Sequence, residues 1–174
     1  MNTILNKRMF KRLYILIVSI CCLSGCGIYS FTGASISPDV KTASIQYFKN
    51  YALLVQPSLA QLLTEKLKDR FISQTTLALV NNNGDLDFEN TITDYKVTPL
   101  APQTNDVAAN NRLSITIKVK FTNKKDEKQN FESSFTEFVD FPSNQNLSSV
   151  ELGLIDQINI KLVDDVFNKS VVNW

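Results

Sequence analysis

The ten residues 112–121 set the strongest limit on what this chain can fold into. Leu113, Ile115, Ile117, Val119 and Phe121 alternate without a break with Arg112, Ser114, Thr116, Lys118 and Lys120. A side-chain period of two puts the first set on one face of a β-strand and the second on the other. The strand therefore belongs to a sheet with one buried and one wet face, and something apolar must cover the buried one.

Two segments have the pattern of that cover. Leu59, Leu63, Leu67 and Phe71 recur at i+4, with Leu62 beside them, while Glu65, Lys66, Lys68, Asp69 and Arg70 lie elsewhere on the helical surface. Ser58 and Gln61 have capping-box spacing, which predicts a helix from Ser58 to about Ile72. Leu154, Ile155, Ile158, Leu162 and Val166 make the apolar face of a second helix. Leu147-Ser148 and Glu151-Leu152 open it as a capping box with a hydrophobic staple, and it runs to about Lys169.

The remaining segments read as strands. Residues 42–48 form one, with a turn at Asn50. Residues 76–80 and 85–97 flank Asn81-Asn82-Asn83-Gly84, and Asn-Gly predicts a hairpin because both central residues of a type I′ turn need positive φ. Leu86, Phe88 and Ile92 share a parity that Tyr95 and Val97 break, which predicts a bulge near Asp94. Residues 98–111 are a polar loop and 123–129 a charged turn. Residues 131–141 are the partner strand, with Phe131, Phe135, Val139 and Phe141 in phase. The order is β-α-β-β-β-α, plus a short strand after the first helix. It predicts an α+β fold: a two-layer sandwich whose mostly antiparallel four-stranded sheet (plus one short strand) carries two helices on one face.

The N-terminus carries a different message. Lys7, Arg8, Lys11 and Arg12 precede the apolar run 13–23, and Leu23-Ser24-Gly25-Cys26 closes it. This is a secretory signal, with an apolar run shorter than the ~20 residues a spanning helix needs. Its last four residues resemble the bacterial lipobox, where a lipoprotein-type signal peptidase cuts just before the cysteine. That resemblance implies a thioether diacylglycerol and an acylated α-amine on Cys26. Residues 1–25 are then a lipoprotein signal peptide, 26–40 a lipidated tether and 41–174 the folded domain. Each buried methylene contributes about 0.8 kcal/mol, so several chains anchor durably where one does not. Gly27, in place of Asp, implies sorting to the outer membrane, and no acidic cluster follows Cys26 to signal surface export. The expected location is the outer membrane, lipid-anchored and facing the periplasm.

Composition narrows the function. Cys21 and Cys22 leave with the signal, so Cys26 is the one mature cysteine and no disulfide forms. The chain has no histidine, which removes the usual general base, the commonest metal ligand and every Ser-His or Cys-His arrangement. Neither G-x-G-x-x-G nor a phosphate-binding G-x-x-x-x-G-K-[ST] loop is present. Eighteen basic against seventeen acidic residues argue against a nucleic-acid partner. The expectation is no enzyme, no metal and no cofactor beyond the covalent lipid.

The whole mature chain, read in order, resembles the LptE-type lipopolysaccharide-assembly lipoproteins. Cys26-Gly27-Ile28-Tyr29-Ser30-Phe31-Thr32-Gly33 and Ser35-Ile36-Ser37-Pro38-Asp39-Val40-Lys41 look like the Bacteroidetes branch. So do Leu67-Lys68-Asp69-Arg70-Phe71, Arg112-Leu113-Ser114-Ile115-Thr116-Ile117-Lys118-Val119 and Phe121-Thr122-Asn123-Lys124-Lys125-Asp126. The resemblance implies a protein partly inside the lumen of the outer-membrane β-barrel LptD, helping it assemble and plugging it while lipopolysaccharide passes. Partners would be that barrel and lipopolysaccharide.

Candidate contacts follow from the strand pattern. Arg112, Lys118 and Lys120 share the wet side of one strand, with Lys124, Lys125 and Lys128 in the adjoining turn. Arg offers bidentate geometry for lipid A phosphates and Lys a point charge. The same residues also suit a solvated face that merely discourages edge pairing. Tyr29, Phe31, Tyr47 and Tyr51 are candidates for barrel or lipid contact, and Phe48 reads as core. Asp85, Asp87 and Glu89 alternate outward, as ordinary solvated residues or as the carboxylates of a lipid-anchored hydrolase. An auxiliary lipoprotein of another envelope transport complex is the remaining alternative.

Overall fold

The computed structural model describes residues 36–54, 56–100 and 110–172, all within one unit that spans 34–174. The signal peptide, Cys26, Tyr29, Phe31 and most of the tether lie outside the described residues. Strands β1 (Thr42–Ile45) and β2 (Lys49–Asn50) lead into helix α1 (Leu59–Gln74). Strands β3 (Ala78–Val80), β4 (Leu86–Pro99), β5 (Asn110–Asn123) and β6 (Phe131–Pro142) follow, and helix α2 (Leu147–Val171) completes the fold.

The sheet has six strands in the order β3-β1-β4-β5-β6, with β2 also on β4. β4, β5 and β6 pair antiparallel, as the alternating pattern requires. β1 pairs parallel with both β3 and β4, and β2 pairs parallel with β4. The expected mostly antiparallel sheet of four strands plus one short strand is therefore a mixed one of six strands. Two local events cause the difference. The strand expected over 42–48 breaks after Ile45, where Phe48 turns into the core and its N–H meets the Thr64 hydroxyl at 3.1 Å. The second event is that β1 inserts between β3 and β4, so the Asn-Gly hairpin does not form.

Residues 81–85 instead cross β1 on the side of Ser44, opposite the core residues Ala43 and Ile45. Asn83 takes φ 58°. A β-carbon on Gly84 would lie 2.5 Å from the Ser44 nitrogen and 2.7 Å from the Ala43 carbonyl carbon. Glycine is needed here for close approach of two backbones, not for a hairpin turn. The crossing is pinned by the Gly84 N–H to Ser44 Oγ at 2.9 Å and by the Asp85 carboxylate, which accepts from the N–H groups of Lys41 and Thr42 at 2.9 and 3.0 Å.

The β4–β5 register shifts between Ile92 and Asp94, so the expected bulge is present and carries Tyr95 back into the core. Both helices cover one face. They run in the same direction, joined by Lys66–Asp156 at 2.7 Å and Arg70–Asp164 at 3.1 Å. Beneath them Phe71 meets Phe88 and Phe167 at 5.0 and 5.1 Å, Phe88 meets Phe121 at 4.9 Å, and Phe121 meets Phe131 at 5.2 Å. This aromatic line ties α1 and α2 to three neighbouring strands. Ile36 and Val40, at the end of the tether, also pack on the core.

The helix starts differ from their expected caps. Gln56 Oε1, not Ser58, accepts from the Leu59 N–H at 3.0 Å, and Gln61 turns to Glu65. At α2 the cap is Asn146, which accepts from the Ser148 N–H at 3.1 Å. Glu151 is occupied by the Tyr95 hydroxyl, linking the start of α2 to the bulged strand.

Candidate functional site

The face of the sheet away from the helices is the surface that sequence reading singled out, and β4, β5 and β6 build it. Cross-strand register stacks it in rows: Glu89–Lys120–Glu132, Thr91–Lys118–Ser134 and Thr98–Arg112–Asp140. The cations do not form one cluster. Arg112 and Lys120 lie eight residues apart on an extended strand, about 26 Å.

Each cation of the strip has a carboxylate. Arg112 is bidentate to Asp140, with Nε to Oδ1 at 2.7 Å and NH2 to Oδ2 at 2.9 Å. That pairing raises the Arg112 pKa and lowers that of Asp140. Lys118 pairs with Glu132, its diagonal neighbour, and lowers the Glu132 pKa. Lys120 pairs with Glu89, which raises the Lys120 pKa. Lys125 reaches Asp85 at 3.2 Å. Lys124 is exposed in the turn and, among the described residues, has no side-chain ion pair. The strip is a balanced polar ladder, so it offers hydrogen bonds and exchangeable charge pairs rather than a positive field.

Asp85, Asp87 and Glu89 do not converge on a reaction centre. The Lys41 N–H, then Thr42 and Lys125, hold the Asp85 carboxyl far below the usual carboxylate range. Asp87 accepts from the Ser44 hydroxyl, and Glu89 faces Lys120. All three have structural partners.

Sequence reading missed Phe138, an aromatic on the same face that is 42 % exposed. The Arg112 guanidinium lies 3.6 Å from its ring centroid, a cation–π stack beside the Asp140 pair. From α2, Lys161 donates to the Phe138 carbonyl at 3.2 Å. The signal for this arrangement was the β5–β6 register, which sets Ser114 opposite Phe138 and brings Arg112 alongside. A lysine over the carbonyl of an edge strand is also a guard against edge-to-edge pairing.

Tyr47 and Tyr51 are exposed, and Phe48 is buried as expected. Among the described residues no helix is long and apolar enough to cross a membrane, and no group of three His, Cys, Asp or Glu could hold a metal ion.

The lipopolysaccharide-assembly family LptE matches residues 40–170, from the last tether residue to the end of α2. The chain belongs to the LptE family. That match spans the two helices and all six strands, so it covers the wet face as well as the core. No curated protein sequence matches the chain. Among solved structures, a neuraminyllactose-binding hemagglutinin homologue from Helicobacter pylori superposes with TM-score 0.53 at 10 % identity, covering 75 % of this chain and 86 % of that one. A minor lipoprotein from Acinetobacter baumannii gives TM-score 0.43 at 15 % identity, covering 71 % of this chain and 91 % of that one. At such identity the Helicobacter likeness speaks to the fold alone.

Proposed function

We propose that this protein is an outer-membrane lipoprotein that binds and helps assemble an LptD-type β-barrel and acts as its plug while lipopolysaccharide passes to the outer leaflet. The observation that carries the reading is the LptE family match over residues 40–170. Two features support it. The lumen of a porin-like barrel is polar, and the β4–β5–β6 face of Thr, Ser and paired charges is suited to line it. Acylation at Cys26 would hold the domain at the inner leaflet, with Arg112, Lys118, Lys120, Lys124 and Lys125 as contacts for lumen or lipopolysaccharide. Paired cations can exchange a carboxylate for a phosphate of similar geometry, Arg112 bidentately. No reaction is assigned, because binding and chaperoning require none.

The test is recovery from the membrane. Outer membranes are solubilised in mild detergent and the C-terminally tagged lipoprotein is pulled down. Near-stoichiometric recovery of one large β-barrel is expected. Recovery with inner-membrane transporter subunits would instead assign the protein to another envelope transport complex.

A further inference from the structure

We propose that the connection between β1 and α1 is a membrane-inserting loop, with Leu53 and Leu54 entering an anionic bilayer surface. Within residues 47–54, Tyr47, Tyr51, Leu53 and Leu54 are 57, 70, 100 and 58 % exposed. The backbone from Phe48 to Ala52, which leads to the two leucines, is tied down. The Phe48 N–H meets Thr64 Oγ1 at 3.1 Å, the Tyr51 N–H meets the Ile92 carbonyl at 2.9 Å, and the Ala52 N–H meets Asn50 Oδ1 at 3.0 Å. Phe48 and Ala52 are buried between the exposed residues. An anchored stretch thus leads into apolar side chains that the domain's own core leaves exposed.

Chemistry selects the occupant. No acidic residue lies between Asp39 and Glu65, and the charges in that interval are Lys41 and Lys49. Lys49 is exposed on the loop itself. Tyr rings and a Lys ammonium suit the headgroup level, and the leucines suit the acyl boundary beneath it. Negative lipid attracts the ammonium and repels nothing on the loop. A polar barrel lumen would leave Leu53 without a partner.

Reach is compatible. The ten residue steps from Cys26 to Ile36 span at most about 35 Å. Ala43 pairs with Leu86, and the Tyr51 N–H bonds to Ile92 six residues further along β4, about 20 Å. An acylated cysteine on a tether longer than that span, together with the loop, would give two membrane signals where each alone holds less firmly. This step rests on the lipid-anchor reading given above.

The experiment uses the full lipidated protein with Leu53→Cys, labelled with an environment-sensitive nitrobenzoxadiazole dye, and Ser134→Cys on the wet sheet face as the control. Both positions are exposed, so neither substitution disturbs packing. In vesicles of phosphatidylethanolamine and phosphatidylglycerol without any barrel, the dye at position 53 blue-shifts and is quenched by doxyl-labelled lipid, and the dye at 134 does neither. An aqueous signal at 53 in vesicles overturns the proposal, whether or not adding the barrel later shifts it. A shift that follows protein concentration in detergent without lipid also overturns it, assigning the loop to a second copy. Barrel recovery is measured on the unlabelled protein, so loss of the loop result with retained barrel leaves the functional reading standing.

Discussion

Gly84 lies across the backbone of Ser44, so close that a β-carbon on the glycine would fall 2.5 Å from the Ser44 nitrogen. This contact lets the chain pass from β3 to β4 over the intervening β1 in five residues. Gly84→Ala pushes backbone against backbone, which no rotamer change relieves. The expected cost is about 2–3 kcal/mol, read as a lower urea midpoint. Gly153, in mid-helix on α2, is the counter-case, with nothing within 4 Å of its missing β-carbon. Gly153→Ala should stabilise by roughly 0.5–1 kcal/mol.

Asp85 closes the same crossing and makes it acid-sensitive. Its folded-state pKa is depressed, chiefly by the Lys41 N–H, below the unfolded value of about 3.9. Its contribution is therefore full above that unfolded value and fades as pH falls through it toward the folded one. Asp85→Asn should lower the urea midpoint at neutral pH, and the gap from the parent protein should close as pH drops from about 5 to about 2.

The charge strip should behave as surface, not skeleton. Arg112, Lys118 and Lys120 are each about a third to a half exposed in their ion pairs, where screening leaves little net stability. Arg112→Ala, Lys118→Ala and Lys120→Ala should barely move the thermal midpoint, alone or together. If the strip contacts lipopolysaccharide or the lumen, the triple variant still folds and admits large antibiotics that an intact outer membrane excludes. A triple variant with a normal barrier would reduce the strip to a solvated face.

Phe88 is fully buried between Phe71 and Phe121. Phe88→Ala should cost about 3–5 kcal/mol and unfold much of the population at growth temperature. Phe138→Ala, on the wet face, should cost well under that in the same denaturation series.

Legibility followed the range of the forces. The β5 alternation from Leu113 to Phe121, the bulge near Asp94 and the apolar faces of both helices could be read because a single segment carries each signal. Asn83-Gly84 misled for the opposite reason. A local turn signature cannot register that β1, forty residues earlier, will occupy the space between the two strands. The helix caps failed on a smaller scale, since Gln56 outreaches Ser58 and Tyr95 captures Glu151 from the strand beneath α2. At the wet face the cations were legible by parity. Their carboxylate partners, and Phe138 beneath Arg112, needed the register of three strands.

A part in lipopolysaccharide assembly is checked by depletion. The protein is removed from growing cells, and pulse-labelled lipopolysaccharide is followed to the outer leaflet. Newly made lipopolysaccharide is expected to fail to reach the surface and to accumulate behind it, while unrelated outer-membrane proteins arrive on time. Surface delivery at the normal rate after depletion would contradict it.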